Sequence, residues 1–307
     1  MKAFYKHKGL ELLCGLVGKS RRAFYDSRDR KEQAKIDASI IVTLVQRERE
    51  VAKRVGGKKL LHILREELFC HGISLGNQKF LDILRANDLL VKRKSRKPKL
   101  TDSRHRLPTY PNIVRNLQID KSELLFVSDI TYIKVFDNFC YLFLITDAYS
   151  RKVVGHNFSR RMTAQCCVVA LNQALENRSY PKRETIHHSD RGSQYCSAEY
   201  VKVLNGNCIK ISMTENGDPL ENPLAERMNR TFKDTFGLDE NFPTFIKAKT
   251  QVDLAVKYYN ERLPHSSVDM LTPNEAHHKT GRLKKHWKWY WREKQIPKLP
   301  DNFYTPQ

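Results

Sequence analysis

"LLFVSDITYIKV", residues 124–135, decides how the rest of the chain is read. It is apolar, β-branched and aromatic, which favours a strand. Alternate strand residues fall on opposite faces, so Val127, Asp129, Thr131 and Ile133 share one. A carboxylate midway along an apolar face is costly to bury unless it is paired or metal-bound. On a wet face Asp129 would need no partner, and this stretch alone leaves both readings open.

Working outward, the texture after residue 120 alternates. Residues 124–134, 139–146 and 152–158 read as three successive strands with turns between them. Residues 163–176 read as a helix, 184–188 as a strand, 197–204 as a helix and 208–213 as a strand. Residues 222–236 and 245–260 read as helices, and 266–280 as a loop plus a short helix. This order predicts an α/β domain, a mixed sheet flanked by helices.

Two further stretches carry acids. "HHSDRGSQYCS" (187–197) places Asp190 where a strand ends, with Gly192 letting the chain turn. Strand ends are where open sheets gather ligands, although Asp shortly before Gly is also ordinary turn chemistry. His187 and His188 invite a transition-metal reading. Neighbours on a strand point to opposite faces, however, and no further His/Cys set accompanies them. In "SMTENGDPLENPLAERMNRTFKDTF" (212–236), Asn222 suits an N-cap and Pro223 the first helical position. Leu224, Met228, Phe232 and Phe236 form an apolar stripe. Glu226, Arg230 and Lys233 lie opposite it, where an ion pair on a solvated face is the plain reading. Taken together, Asp129, Asp190 and Glu226 make a hard-oxygen set of the kind Mg²⁺ or Mn²⁺ prefers. Two such ions suit phosphoryl transfer.

The charge points to the same substrate. The 307 residues carry a net charge of +21, with a pI near 9.7. Residues 1–100 hold 25 Lys+Arg against 11 Asp+Glu, and residues 121–307 hold 27 against 21. Such asymmetry favours a polyanionic partner, because cations that neutralise phosphates release condensed counterions. No apolar run is long enough to span a membrane. The seven cysteines form no CxxC pair, so neither a disulfide framework nor a zinc module is expected. The first sixteen residues show no export signal, and a cytoplasmic location is expected.

The N-terminal third reads as helical. Residues 10–26 suggest two short helices broken near Gly18–Ser20, and residues 31–54 have helical composition. Residues 56–90 read as helix, turn (71–76) and helix, with Asn77 as N-cap and Asn87 as stop. This is the outline of a helix-turn-helix, whose second helix would offer Gln78, Lys79 and Arg85 to a major groove. Residues 91–108 are basic and contain two prolines, consistent with a linker. In the tail, Trp287, Trp289 and Trp291 alternate with basic residues, a pattern able to stack on nucleic acid or to cover the domain. The expected layout is an N-terminal helical region (1–54), a helix-turn-helix region (55–90), a basic linker (91–120), a catalytic core (121–280) and a basic tail (281–307).

At these motifs a family resemblance emerges. "SDITYI", "HSDRGSQY" and "LENPLAERMNRTFK" resemble the three motifs of DDE transposases in the integrase catalytic core superfamily. The nearest pattern is the OrfB-type proteins of the insertion-sequence-three family. Between Asp190 and Glu226 lie 35 residues, the spacing that names the motif class. It selects Glu226 over the nearby acids Glu215, Asp218 and Glu221. Asp147, at the end of an apolar run, reads as structural. "YN" (259–260), "PH" (264–265) and "TP" (272–273) resemble the family's closing signature.

The resemblance implies an RNase H-like fold and a bacterial transposase. Asp129, Asp190 and Glu226 would be catalytic and would hold two Mg²⁺, with Asp129 shared. It further implies cleavage and 3′-hydroxyl strand transfer on DNA, with Gln194, Asn222, Arg230 and Lys233 positioning the DNA. It also implies oligomerisation on DNA and an upstream-frame partner or fusion that supplies more DNA binding and a coiled coil. Two departures stand out. Phe126 occupies the neighbourhood where the family often has Trp, and Leu263 stands where it usually has Arg, with Arg262 one step earlier. The alternatives are a metal nuclease without strand transfer and a DNA-binding regulator with an inactive core.

Overall fold

The computed structural model describes residues 9–91, 107–115, 117–215 and 222–286. Most of the expected linker, the three tail tryptophans, Asp218 and Glu221 lie outside the described residues.

The chain opens with α1 (Leu10–Leu16), α2 (Arg21–Val51), α3 (Gly57–Cys70) and α4 (Asn77–Ala86). The break falls where expected, with Gly18 at φ 64. The second helix is not short, however. Ser20 caps it by accepting from Ala23 N, and no Gly or Pro interrupts the next 31 residues, so it continues to Val51. Asn77 is the first residue of α4 rather than its cap, because Gly76 holds the cap position. Asn87 ends α4 as expected, its Nδ2 donating to the Ile83 carbonyl at 2.9 Å.

The sheet comprises β1 (Leu125–Val135), β2 (Asn138–Asp147), β3 (Val153–Ser159), β4 (Ile186–Ser189) and β5 (Lys210–Met213), in the order β3-β2-β1-β4-β5. The first three strands are antiparallel neighbours, whereas β4 and β5 run parallel to β1. Helices α5 (Ala164–Glu176) and α6 (Ala198–Gly206) flank one face. Helices α7 (Pro223–Phe236) and α8 (Phe245–Glu261) flank the other, and α9 (Pro273–His277) follows. This is the expected RNase H-like mixed sheet.

The strand alternation sets the two cores. Phe126 and Ile130 of β1, with Phe143 and Ile145 of β2, pack against Leu171, Ala174 and Tyr200. Gly155 on β3 permits α5 to approach: a Cβ there would stand 2.2 Å from the Ala170 carbonyl oxygen. On the opposite face Ile133, Leu142 and Leu144 pack against Met228, Phe232 and Tyr259. That second core continues without a break into Ile41, Leu60, Leu64 and Phe80 of the N-terminal helices. Buried Glu48 of α2 accepts from the Tyr258 hydroxyl (2.6 Å) and pairs with Arg262 (2.8 Å). The N-terminal helices are therefore anchored on the sheet and on α8.

The closing signature has mostly structural work. The Asn260 amide makes two hydrogen bonds to the Val153 backbone, each 2.9 Å. Thr272 and Glu275 form a capping box on α9. Leu263 is fully buried in the core, and Arg262, one step earlier, joins Arg47 in pairing with Glu48.

Candidate active site

Asp129 does not sit on a wet face. Val127, Thr131 and Ile133 on the same side of β1 are all buried, and Asp129 itself is half-buried. Its Oδ2 accepts from Asn229 Nδ2 at 2.6 Å, and its Oδ1 accepts from Ile130 N at 2.9 Å.

The register brings Asp190 alongside. The parallel ladder pairs Val127 with His188. Two residues beyond this last ladder pair, one on each segment, come Asp129 and Asp190. Asp190 lies just past the end of β4 and makes an Asx turn, Oδ1 accepting from Gly192 N at 3.0 Å. Gly192 does not have a positive φ, so its role is space. A Cβ there would lie 3.0 Å from Asp190 Oδ1 and 3.3 Å from Gln194 Oε1.

Helix α7 brings the third acid. Asn222 Nδ2 donates to the Ser128 carbonyl (3.1 Å) and Asn229 Nδ2 to Asp129. Glu226 lies four residues after the first and three before the second, so it belongs to the helical face that these two amides hold against β1. Lys233 continues that face, its Nζ 4.1 Å from the centre of the Tyr132 ring. This corrects the expected layout: only Arg230 is on the exposed side, whereas Glu226 and Lys233 are half-buried along β1. The expected Glu226–Arg230 ion pair is absent among the described residues, where the Glu226 side chain has no hydrogen-bond or ion-pair partner. No three acidic, His or Cys side chains among those residues already converge as a closed metal-binding cluster. The donors are nonetheless hard oxygens. Both clamping asparagines leave a buried Oδ1 without a partner, so the neighbourhood retains unused acceptor capacity.

Asn222 caps α7 by position only, since its side chain makes no capping bond. It is buried and bound to β1, which makes it a clamp. Asn229 escaped the sequence reading. Its place three residues after Glu226, where a stripe of Asn, Glu, Asn and Lys runs along α7, was the available signal. Gln194 is half-buried and donates to the Met162 carbonyl at 3.3 Å. On α4, Gln78, Lys79 and Arg85 are all exposed, and Asp82 accepts from both Gln78 and Arg85.

The conspicuous histidines are structural. His187 is buried against the Ser128 hydroxyl (2.6 Å) and the Tyr200 hydroxyl (2.8 Å). Burial and then the neighbouring His188 push its pKa down to about 3, so it is neutral. His188 points the other way, to Ser212 Oγ at 2.9 Å. Among the decoys, Glu215 pairs with Arg115. Asp147 is fully buried and accepts from Glu123 N, Ser150 N and Ser150 Oγ, in keeping with a structural role.

The sequence matches two models described as integrase core domain, over residues 120–219 and 207–273. It is 30% identical over 218 residues to the transposase InsF for insertion sequence IS3A of Escherichia coli strain K12. That match spans 70% of this chain and 75% of the relative. The chain belongs to the IS3-type transposase family. A second relative is the 31 kDa protein of insertion element IS600 from Shigella sonnei, 26% identical over 85% of this chain and 96% of that protein. Among solved structures, the HTLV-2 integrase catalytic core domain, itself in complex with magnesium, aligns at 20% identity. It covers 52% of this chain and 98% of that one, with a TM-score of 0.41. The protein is thus a transposase, a polynucleotidyl transferase built on an integrase core. Among the described residues of the transposase, no helix is long and apolar enough to cross a membrane.

Proposed function

We propose that this transposase cleaves DNA at the ends of an insertion sequence and transfers the freed 3′-hydroxyl to a target phosphodiester, with Asp129, Asp190 and Glu226 as the catalytic metal-binding residues. The observation that carries this reading is the strand register, whose last pair Val127↔His188 stands two residues before Asp129 and Asp190, together with the docking on β1 of the α7 face that bears Glu226. Hard carboxylate oxygens suit a pair of Mg²⁺ or Mn²⁺ ions. When bound, such ions activate an attacking oxygen and stabilise the leaving one.

The chain's own residues supply the positioning. Asn229 fixes one oxygen of Asp129, and the Gly192 amide fixes one of Asp190. Gln194, Arg230 and Lys233 contact the phosphate backbone near the cut. Gln78, Lys79 and Arg85 on α4 read a more distant segment in the major groove. In cleavage, water attacks phosphorus and the 3′-oxygen leaves with a proton. In transfer, that 3′-hydroxyl attacks a second phosphodiester and displaces its 3′-oxygen, so no covalent enzyme intermediate and no ATP are required. The layout of helix-turn-helix region, linker and core serves this function, with two or more copies assembled on DNA alongside an upstream-frame partner.

The test is strand transfer of labelled element-end DNA into a plasmid with Mg²⁺ present. Asp129→Ala, Asp190→Ala and Glu226→Ala should each abolish joined product while DNA binding persists in a mobility-shift assay. Full joining by Glu226→Ala would overturn the assignment. Cleavage without joining by the wild-type protein would point to a nuclease instead.

A further inference from the structure

β4 pairs with β1 only over Leu125–Val127, whereas the β1–β2 ladder continues to Val135↔Asn138. Beyond Asp129 the two strands therefore project as a ribbon. One face of this ribbon is covered: Ile133, Val135, Cys140 and Leu142 are buried in the core shared with α7 and α8. On the other face Tyr132 and Phe139 are each 52% exposed. Their rings meet edge to face, 5.2 Å between centroids and 76° between planes. Lys233 of α7 adds a positive charge 4.1 Å from the Tyr132 ring centre. At the tip, Phe136 is 65% exposed and takes φ 53 as the first residue of the two-residue hairpin turn between β1 and β2.

We infer that Tyr132 and Phe139 form a stacking platform for an unpaired DNA base displaced next to the scissile phosphodiester. The inference rests on Asp129 marking the cleavage position. Tyr132 is three residues along the strand from Asp129, about 10 Å at ~3.3 Å per residue and on the strand's other face. An unpaired base reaches it round the β1 edge that β4 leaves open beyond Val127, where Lys233 of α7 also meets the ring. Exposed aromatic rings beside a lysine are the surface on which bases of any sequence stack, since every base has a π-face. The strongly basic chain supplies the complementary charge. The platform stabilises melting of the duplex end, giving the carboxylates access to a strand that a paired end would hold out of reach.

The test uses the full chain and a short DNA duplex whose end carries a single-stranded overhang containing 5-iododeoxyuridine. Ultraviolet crosslinking followed by peptide mapping should place the adduct on Tyr132 or Phe139. Tyr132→Ala and Phe139→Ala should each lower the affinity for the overhang duplex by roughly 5- to 100-fold, with little change for a blunt duplex. Tyr132→Phe should preserve the preference, because it keeps the ring.

Equal affinity for both duplexes in wild type and variants, with adducts elsewhere, overturns the platform. So does a change in self-association by sedimentation that appears without any change in overhang preference. Asp129→Ala, run in parallel, separates the two readings. If that variant still cleaves while Tyr132→Ala loses the overhang preference, the metal site fails and the platform stands. If it is inactive while the aromatic variants match wild type, the platform alone fails.

Discussion

Two groups of carboxylates, one at the start of β1 and one around its middle, differ in one respect. Glu123 and Asp147, near the strand's start, are fully buried and saturated. Glu123 accepts from Ser179 N (2.6 Å) and Tyr180 N (3.1 Å), and pairs with Arg178 and His277. Burial by itself would raise its pKa, yet these hydrogen bonds bring it down to about 2. Asp129, Asp190 and Glu226 are only half-buried. There the Glu226 side chain has no partner among the described residues, and the adjoining asparagines each keep an unused oxygen. A saturated carboxylate stabilises the fold. One with spare acceptor capacity can bind something else.

The largest expected contrast is in activity. Glu226→Ala should reduce joined product by more than about a thousandfold, as removal of a central catalytic group does, while its melting temperature stays near wild type. Glu123→Ala should do the reverse. Leaving Arg178 and His277 without their buried carboxylate should cost about 3–5 kcal/mol, read as a lower urea midpoint. If Glu226→Ala unfolds the protein and Glu123→Ala does not, the contrast is broken.

A smaller effect sharpens the boundary between the groups. Asn229→Leu removes the 2.6 Å bond to Asp129 but fills the same buried space without an unpaired oxygen. Joining should fall about 10- to 100-fold, the usual loss when a metal ligand's hydrogen-bond partner is removed. Thermal stability should be unchanged or slightly higher. A stability loss with unaltered turnover would make Asn229 purely structural.

The smallest effect is in acid. His187 and His265 both have pKa values pushed down to about 3, chiefly by burial. The unfolded chain, titrating near 6.5, binds protons that the folded chain refuses, so stability falls as pH drops from about 6.5 towards 3. Glu123 adds to the loss below its unfolded value near 4.3. Denaturant midpoints across this range should decline, and His187→Gln should flatten the upper part of the slope. A flat profile between pH 7 and 5 would refute the histidine contribution.

Local pattern was enough to place every strand and the helices α3 to α9 to within a few residues, because apolar periodicity and turn residues act over short range. The acids at 129, 190 and 226 stood out by spacing and by resemblance. Local pattern gave the wrong setting for α7, whose Glu226 and Lys233 looked solvated. A helix reports which residues share a face but not which neighbour that face meets. The charged stripe came to lie against β1 only through Asn222 and Asn229 reaching that strand. Likewise the two histidines were conspicuous in one dimension and inert in three, since burial against Ser128, Tyr200 and Ser212 satisfies them.

The sequence by itself determined most of the elements, their order and which three acids to propose as a site, since these depend on side-chain type and separation along the chain. Only the tertiary structure decided that the β1–β4 ladder ends two residues before Asp129 and Asp190 and that the α7 face bearing Glu226 docks on β1. It alone decided that a pair of aromatic rings stays uncovered on the other face of β1, further along the strand. Those outcomes follow from strand register and from helix docking, which are set by contacts between residues up to a hundred positions apart.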